Sequence, residues 1–137
     1  MQQFLLVKLD KSLYGLDIMK VKSIEQNQKI QPSTCLGPQW VGMINLRGEI
    51  IKITNGESKL SYKAKDNHLN TNNIVIFQSE GTKYGLIVDE ACTIHEVKEE
   101  NELTDVPTVV KSDILSGILK YKEDLVSLIN VDKLVTV

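Results

Sequence analysis

The chain has 137 residues, of which 42% are hydrophobic and 25% are charged, values that are ordinary for one soluble globular domain. A formal net charge of −2 and an aromatic content of 5% argue against nucleic acid as a partner, because neither a basic patch nor a base-stacking surface is expected. No apolar run approaches the ~20 residues of a membrane helix, and the first residues lack the apolar length and cleavage site of a signal peptide. We therefore predict a cytoplasmic protein with no direct membrane insertion.

Apolar and polar residues alternate along most of the chain, which predicts an all-β domain with short helical turns. The predicted elements begin with strands over 4–9 and 13–17, a helical turn over 18–21, a short strand that ends at residue 24 and a loop over 25–38. A strand pair over 41–54, a turn at 55–56, a short helix over 57–65 and a polar linker over 66–73 follow. The second half holds a hairpin with strands over 73–79 and 83–94, a solvated loop over 98–107, a hairpin with strands over 114–121 and 124–130, and a helical end over 131–137.

The stretch 41–54 is the clearest hairpin of the sequence. Arg47 and Gly48 are its predicted turn residues, because glycine readily adopts the positive φ that a two-residue turn requires. This turn pairs Ile44 with Ile51 and makes one apolar face continuous. The face predicted to be buried is formed by Ile44, Ile51 and Ile53.

The opposite face of this hairpin is unusually apolar for a solvated surface. It carries Val41, Met43, Asn45 and Ile50. Such a face is either covered by other strands or offered to a partner. Arg47 stands at the tip with five donors, and the alternative interpretation is a plain core hairpin with a surface arginine.

A weak internal repeat relates the two halves of the chain. The triplet Tyr-Gly-Leu occurs at 14–16 and again at 84–86, each time after an apolar strand and a polar turn. Gly42 and Gly117 likewise each open a strand that is followed by a two-residue turn and another apolar strand. Two similar β units in the same internal order explain both matches. Small closed or nearly closed barrels suit such units, because closure removes strand edges that invite aggregation.

Side chains capable of catalysis or metal binding are scattered. His95 stands three residues after Cys92, and strand residues of opposite parity point to opposite faces, so the two are a poor metal site. His68 is predicted to be solvated, the acidic pair 89–90 to be solvated or turn-capping, and Trp40 to be a buried anchor. We predict no catalytic residue, no metal site and no cofactor. The profile is that of an interaction module.

Three blocks of the sequence resemble one known family. They are Tyr-Gly-Leu-Asp-Ile-x-x-Val at 14–21, Gly-x-x-Asn-Leu-Arg-Gly at 42–48 with alternating isoleucines after it, and Tyr-Gly-Leu-Ile-Val-Asp at 84–89. In their order and spacing these blocks resemble the CheW family of chemotaxis coupling proteins along nearly the whole chain. The closing segment 125–134 is also similar to the family's final strand and helix.

The resemblance implies a single domain over 1–137, built from two packed five-stranded SH3-like β-barrels around a shared core. The two intertwined subdomains are expected at roughly 15–65 and 70–125, with the termini shared. The resemblance also implies a non-enzymatic adaptor that joins the cytoplasmic tip of a chemoreceptor, a methyl-accepting chemotaxis protein, to the chemotaxis histidine kinase CheA. The implied receptor-binding residues are Val21, Gly42, Arg47, Gly48 and Ile50, with Val41 and Met43 as a candidate partner face.

The sequence departs from the family at two places. Lys52 and the pair 55–56 stand where the family usually has a proline and an Asp-Leu pair, and the missing aspartate predicts the loss of a local cap or ion pair. The loop over 25–38 keeps little of the family pattern. These departures leave open a diverged adaptor in a non-chemotactic signalling system. The alternative from another class is an SH3-like regulatory module that binds a peptide or a small ligand.

Overall fold

The computed structural model describes residues 2–60, 73–107 and 113–136. Predictions for His68, for the linker before Asn73 and for the later part of the helix over 57–65 fall outside the described residues. The strands are β1 (Gln3–Leu9), β2 (Ser12–Asp17), β3 (Val21–Gln26), β4 (Gln31–Pro32), β5 (Gly42–Leu46), β6 (Glu49–Thr54), β7 (Asn73–Ser79), β8 (Thr82–Val88), β9 (Glu90–Glu96), β10 (Leu103–Thr104), β11 (Leu115–Tyr121) and β12 (Asp124–Ile129). The α-helices are α1 (Glu57–Leu60) and α2 (Val131–Val135), and 3₁₀ turns lie at Ile18–Lys20 and Glu100–Glu102.

The predicted all-β class is confirmed, and the predicted elements differ from the structure in three places. The strand expected over 83–94 is two strands, because the chain leaves one sheet after Val88 and enters the other at Glu90. The loop expected over 25–38 contains the end of β3 and the short strand β4, which pairs with β5. The loop expected over 98–107 contains the second 3₁₀ turn and β10.

The described strands form two six-stranded sheets. The first sheet has the order β10-β11-β12-β2-β1-β9, and the second has the order β3-β7-β8-β6-β5-β4. In each sheet one parallel pair joins two antiparallel hairpins, through β12 and β2 in the first and through β6 and β8 in the second. The two-residue edge strands β10 and β4 add a sixth strand to the five that were expected in each barrel.

The strand order confirms the internal repeat and reveals an exchange between its halves. The first repeat runs from β1 to β6 and the second from β7 to β12. The hairpin of β1 and β2 lies in the sheet formed by the later strands of the second repeat, and the hairpin of β7 and β8 lies in the sheet formed by the later strands of the first. The strands of the second sheet therefore lie within residues 21–88, and those of the first sheet lie within residues 3–17 and 90–129. The expected intertwined subdomains at roughly 15–65 and 70–125 stay a prediction; the strands of each sheet come from both repeats.

The hairpin of β5 and β6 has the turn and the register expected from the sequence. Ile44 pairs with Ile51 across it. Arg47 has a φ of 50° and Gly48 a φ of 88°, which is the pair of left-handed conformations found in type I′ turns. The predicted inner face is buried, with Ile44 2% exposed and both Ile51 and Ile53 0% exposed.

Among the described residues, three apolar clusters pack within and between the sheets. One lies within the second sheet and includes Ile51 and Ile53, and another lies within the first sheet and includes Leu6. The third lies between the sheets and combines side chains of β1, such as Leu5, with side chains of β7, such as Phe77. Alternation along β1 therefore serves two cores, and full burial of each such side chain is worth ~1.5–3 kcal/mol. The core expected between the two units is present.

Ion pairs link distant parts of each sheet. In the second sheet the Arg47 guanidinium lies 3.5 Å from Glu25 Oε2, although β3 stands at one edge and the β5–β6 hairpin near the other. In the first sheet His95 Nε2 on the edge strand β9 lies 2.8 Å from Glu102 Oε1, just before the other edge strand, β10. Both sheets therefore curl so that their edges approach, which is the curvature of a small barrel.

Asparagine caps follow the last long strand of each repeat. Asn55 Oδ1 accepts a hydrogen bond of 2.9 Å from the Glu57 amide, just as Asn130 Oδ1 accepts one of 3.1 Å from the Asp132 amide. An asparagine oxygen caps a helix as well as an aspartate oxygen does. The sequence predicts the loss of a cap or of an ion pair at this departure from the family. Asn55 supplies a hydrogen-bonded cap, and the loss of an ion pair stays a prediction.

Candidate partner-binding site

The outer side of the β5–β6 hairpin is exposed rather than covered by other strands. We call it the hairpin face and define it by Met43, Asn45, Ile50 and Lys52, which share one side because Asn45 pairs with Ile50 and Met43 pairs with Lys52. Ile50 is 63% exposed, which is high for a large aliphatic side chain in a strand. Met43 is half-buried, and the neighbouring Val41 is half-buried against the core of the second sheet.

Arg47 lies at the tip of this hairpin, and an ion pair with Glu25 orients its side chain. Its side chain is 73% exposed, whereas that of its partner Glu25 is only 16% exposed. The Asn45 side chain stabilises the same turn, since its Oδ1 accepts a hydrogen bond of 2.9 Å from the Gly48 amide. The ion pair and the turn orient the guanidinium while leaving most of its donors accessible.

The two glycines of the predicted site have different roles. Gly48 is exposed, its φ is 88°, and a Cβ built on it would meet nothing within 4 Å. Gly42 is buried, and a Cβ there would lie 2.3 Å from the carbonyl oxygen of Gln31. Gly42 therefore lets β4 approach β5, and as a buried residue it presents little surface of its own.

Val21 lies away from the hairpin tip, at the start of β3. It is half-buried and packs against the cluster between the sheets. Glu25, the partner of Arg47, follows four residues later on the same strand, a separation of ~13 Å at about 3.3 Å per residue. Ile24 on this strand is 44% exposed, and Met19 just before it is 79% exposed. Ile24 and Glu25 are neighbours on β3, so the exposed Ile24 side chain lies on the face opposite to the partner of Arg47.

An aromatic pair borders the hairpin face, and the sequence interpretation did not foresee it. Trp40 is only 7% exposed, which confirms its predicted burial. Its ring stacks on Tyr84 with centroids 5.4 Å apart and planes inclined by 17°. The Lys52 ammonium lies 4.8 Å from the Trp40 centroid and 5.7 Å from that of Tyr84. Strand parity in the sequence places Lys52 on the side of Ile50, but its aromatic partners come from β8 and from the segment before β5.

The titratable side chains that are close together perform structural tasks. Asp89 Oδ2 accepts a hydrogen bond of 2.6 Å from the Asp10 amide, which confirms the turn-capping alternative for this residue. Desolvation and the nearby Glu90 carboxylate raise the pKa of the Cys92 thiol, which disfavours the nucleophilic thiolate. In the parts of the chain that the structure describes, no three His, Cys, Asp or Glu side chains are grouped as metal ligands.

Glu102 is a carboxylate whose acidity is strongly shifted. Backbone hydrogen bonds from Glu99 and Lys98, together with the bond to His95, lower its pKa to about 2. Its Oε2 accepts from both amides at 2.7 Å while Oε1 contacts the imidazole. This carboxylate is fully used in joining β9 to the segment before β10, so the arrangement stabilises the barrel edge.

None of the helices within residues 2–60, 73–107 and 113–136 has the length and apolarity to cross a bilayer. The outer sides of the β5–β6 and β11–β12 hairpins expose large aliphatic side chains, Ile50 and Leu125, on strands of this fold. Such a surface favours a protein-binding module.

The comparisons with known proteins name the kind of module. Residues 3–137 match the CheW-like domain family, so the chain belongs to the CheW-like family. A chemotaxis protein CheW of Treponema pallidum is 30% identical over 97% of this chain and 82% of its own length. The Bacillus subtilis chemotaxis protein CheW is 29% identical over 85% of this chain and 76% of its own. The crystal structure of the scaffolding protein TtCheW from Thermoanaerobacter tengcongensis matches with a TM-score of 0.86 and 27% identity, over 99% of this chain and 88% of that one.

Family membership and the matching structure confirm the predicted fold and the predicted class. The chain is a coupling adaptor of the chemotaxis type, as its similarity to chemotaxis proteins and to a scaffolding protein supports. The family is one of scaffolds and adaptors.

Proposed function

We propose that this adaptor works without turnover in the cytoplasm and joins the cytoplasmic tip of a chemoreceptor to the chemotaxis histidine kinase CheA. The observation that carries the proposal is the exposure of Ile50, which is 63% exposed on a rigid hairpin. The tip of this hairpin carries Arg47, which is paired with Glu25 while its side chain stays 73% exposed. An aliphatic side chain exposed to this degree beside an oriented guanidinium suits an amphipathic helix better than it suits water.

The proposed receptor contact combines apolar packing with one directed charge. A receptor tip is a helical hairpin, and one of its apolar stripes packs on Ile50 and Met43. Arg47 fixes the register of that helix through charge-assisted hydrogen bonds, since its side chain is 73% exposed. Gly48 leaves open space beside it. Val21, which is half-buried at the start of β3, is included in the proposed contact on the family resemblance. Gly42 contributes by holding β4 in place, and Val41 by supporting the hairpin from its core side.

The first test is binding of a purified chemoreceptor cytoplasmic fragment to the wild-type chain and to Arg47→Ala. We expect Arg47→Ala to weaken binding about tenfold, because a lost charge-assisted hydrogen bond is worth ~1.5–3 kcal/mol. Isothermal titration calorimetry measures the affinity. The melting temperature should change little, since the ion pair with Glu25 is largely solvated on the arginine side.

Lys122→Ala is the matched control for this experiment. Lys122 is the positive-φ residue at the turn of the β11–β12 hairpin, the counterpart of Arg47 in the other sheet. We expect its removal to leave receptor binding unchanged. Equal binding by wild type and a correctly folded Arg47→Ala protein would remove Arg47 from the site. Absence of any receptor binding by the wild-type chain would remove the proposed function.

A further inference from the structure

Lys52 supplies the positive charge of the hairpin face. Its ammonium lies over the stacked rings of Trp40 and Tyr84, at 4.8 and 5.7 Å from their centroids. Among the described residues no acidic side chain forms an ion pair with it, whereas Arg47 is paired with Glu25 and Lys83 with Glu49. Ring contacts fix the position of an ammonium group without neutralising its charge.

The position of Lys52 relative to Ile50 suits the geometry of a helix. The two residues are separated by two positions on β6, so their side chains lie on one side ~7 Å apart. Residues i and i+4 of a helix are neighbours at ~6 Å. A helix whose apolar residue contacts Ile50 therefore brings the side chain one turn away to Lys52.

The other hairpin carries its cation at a different position. Tyr14 corresponds to Tyr84, and the residue paired with it across the parallel strands is Ser127, where Tyr84 is paired with Lys52. The aliphatic part of the surface is repeated, since Leu125 is 67% exposed at the position that corresponds to Ile50. The lysine of that face is Lys120, which pairs with Leu125 where Asn45 pairs with Ile50, so the two faces place a cation on different sides of the aliphatic residue.

We propose that Lys52 is a specificity-determining residue that selects a glutamate or aspartate one helical turn from the apolar residue that contacts Ile50. This inference rests on the proposed function and names the partner chemistry of the same site. The aromatic pair holds the ammonium in place, so that a carboxylate meets an already ordered cation and less side-chain entropy is lost on binding. Lys52 acts here as a contact to the partner, and the neighbouring rings act as its support.

The experiment titrates the chemoreceptor cytoplasmic fragment into wild type, Lys52→Met, Lys52→Arg and Lys122→Met at low and high salt. Methionine keeps an unbranched apolar stem against the rings and removes the charge. We expect Lys52→Met to lose about three- to fivefold in affinity at low salt, the range of a solvated ion pair, and to lose less at high salt, where charges are screened. Lys52→Arg should retain the wild-type affinity. Lys122→Met should change nothing, although it also removes an ammonium from an aromatic ring, at 5.2 Å from Tyr121.

The outcomes separate this inference from the proposed function. If Lys52→Met binds as tightly as wild type at both salt concentrations while Arg47→Ala is weakened, Lys52 selects nothing and the receptor site stands. An affinity loss that is independent of salt and that Lys52→Arg fails to restore would assign Lys52 to packing and overturn the inference. If wild type itself fails to bind the fragment, both proposals fall together. A Lys52→Glu chain that regains affinity for a fragment with one glutamate changed to lysine would identify the selected residue.

Discussion

The two hairpins that end in Arg47-Gly48 and Lys122-Glu123 are the same structural element with different surfaces. In both hairpins the first strand contains a glycine at or near its start, and the first turn residue has a positive φ. Both expose one aliphatic residue, Ile50 at 63% and Leu125 at 67%. In the second sheet the tip is tied to β3 by an ion pair and the face carries a cation on two rings. The comparison teaches that duplication copied the scaffold, whereas charge and support at a few positions distinguish one surface from the other.

The largest expected difference between the two hairpins concerns the glycine in their first strands. A Cβ on Gly42 meets the Gln31 carbonyl oxygen at 2.3 Å, whereas a Cβ on Gly117 meets the Thr104 carbonyl oxygen at 3.2 Å. We expect Gly42→Ala to lower the free energy of unfolding by about 3 kcal/mol and Gly117→Ala by about 1 kcal/mol, because overpacking against backbone is relieved only by moving a strand. Urea denaturation measures both. Equal losses in the free energy of unfolding would mean that β4 moves away from the added Cβ as easily as β10 does.

The second difference concerns the second turn residue. Gly48 has a φ of 88°, while Glu123, in the corresponding position, is not among the residues with positive φ. Gly48→Val should cost ~1–2 kcal/mol, since a β-branched residue is strained in the left-handed region. Glu123→Val should stay within ~0.5 kcal/mol of wild type. A Gly48→Val protein with the wild-type midpoint in urea would contradict the turn geometry.

The third and smallest difference lies in how each sheet is closed, through Glu25 and Arg47 in one and through Glu102 and His95 in the other. The pKa of Glu102 is lowered from 4.5 to about 2, so its ionised form stabilises the folded chain above pH 4.5. That contribution is lost as the pH falls through 4.5 towards 2. We expect Glu102→Gln to flatten the pH dependence of the unfolding free energy in this window, measured by urea denaturation at a series of pH values. A wild-type slope in the variant would assign acid sensitivity to other carboxylates.

The sequence was sufficient for the elements that depend on local pattern. Alternation and the turn residues predicted the β5–β6 register and the burial of Ile51, because a single register places all three isoleucines on one face. The repeat of Tyr14 and Tyr84 predicted two similar units. The exchange of hairpins was missed, since the order of strands along the chain is the same with or without it.

For the candidate site, too, the sequence indicated some of the residues and missed others. Arg47 and Ile50 are visible from parity and turn position, and the structure places both on the surface. Gly42 belongs to the motif that implied the receptor contact, but the structure buries it against Gln31, eleven positions earlier. Lys52 appeared only as a departure from the family. Its meaning depends on Tyr84, which reaches it across a parallel strand pair that sequence pattern does not specify.

The exchanged hairpins have a consequence for how such a chain is made and how it arose. During synthesis β1 and β2 are made before the strands beside them, β9 and β12, which come from the second repeat. The sheet that contains the β1–β2 hairpin is therefore completed only after β12 has been made. Exchange of an identical element between two copies is a low-cost route to a dimer, and fusion of two such copies would give this architecture.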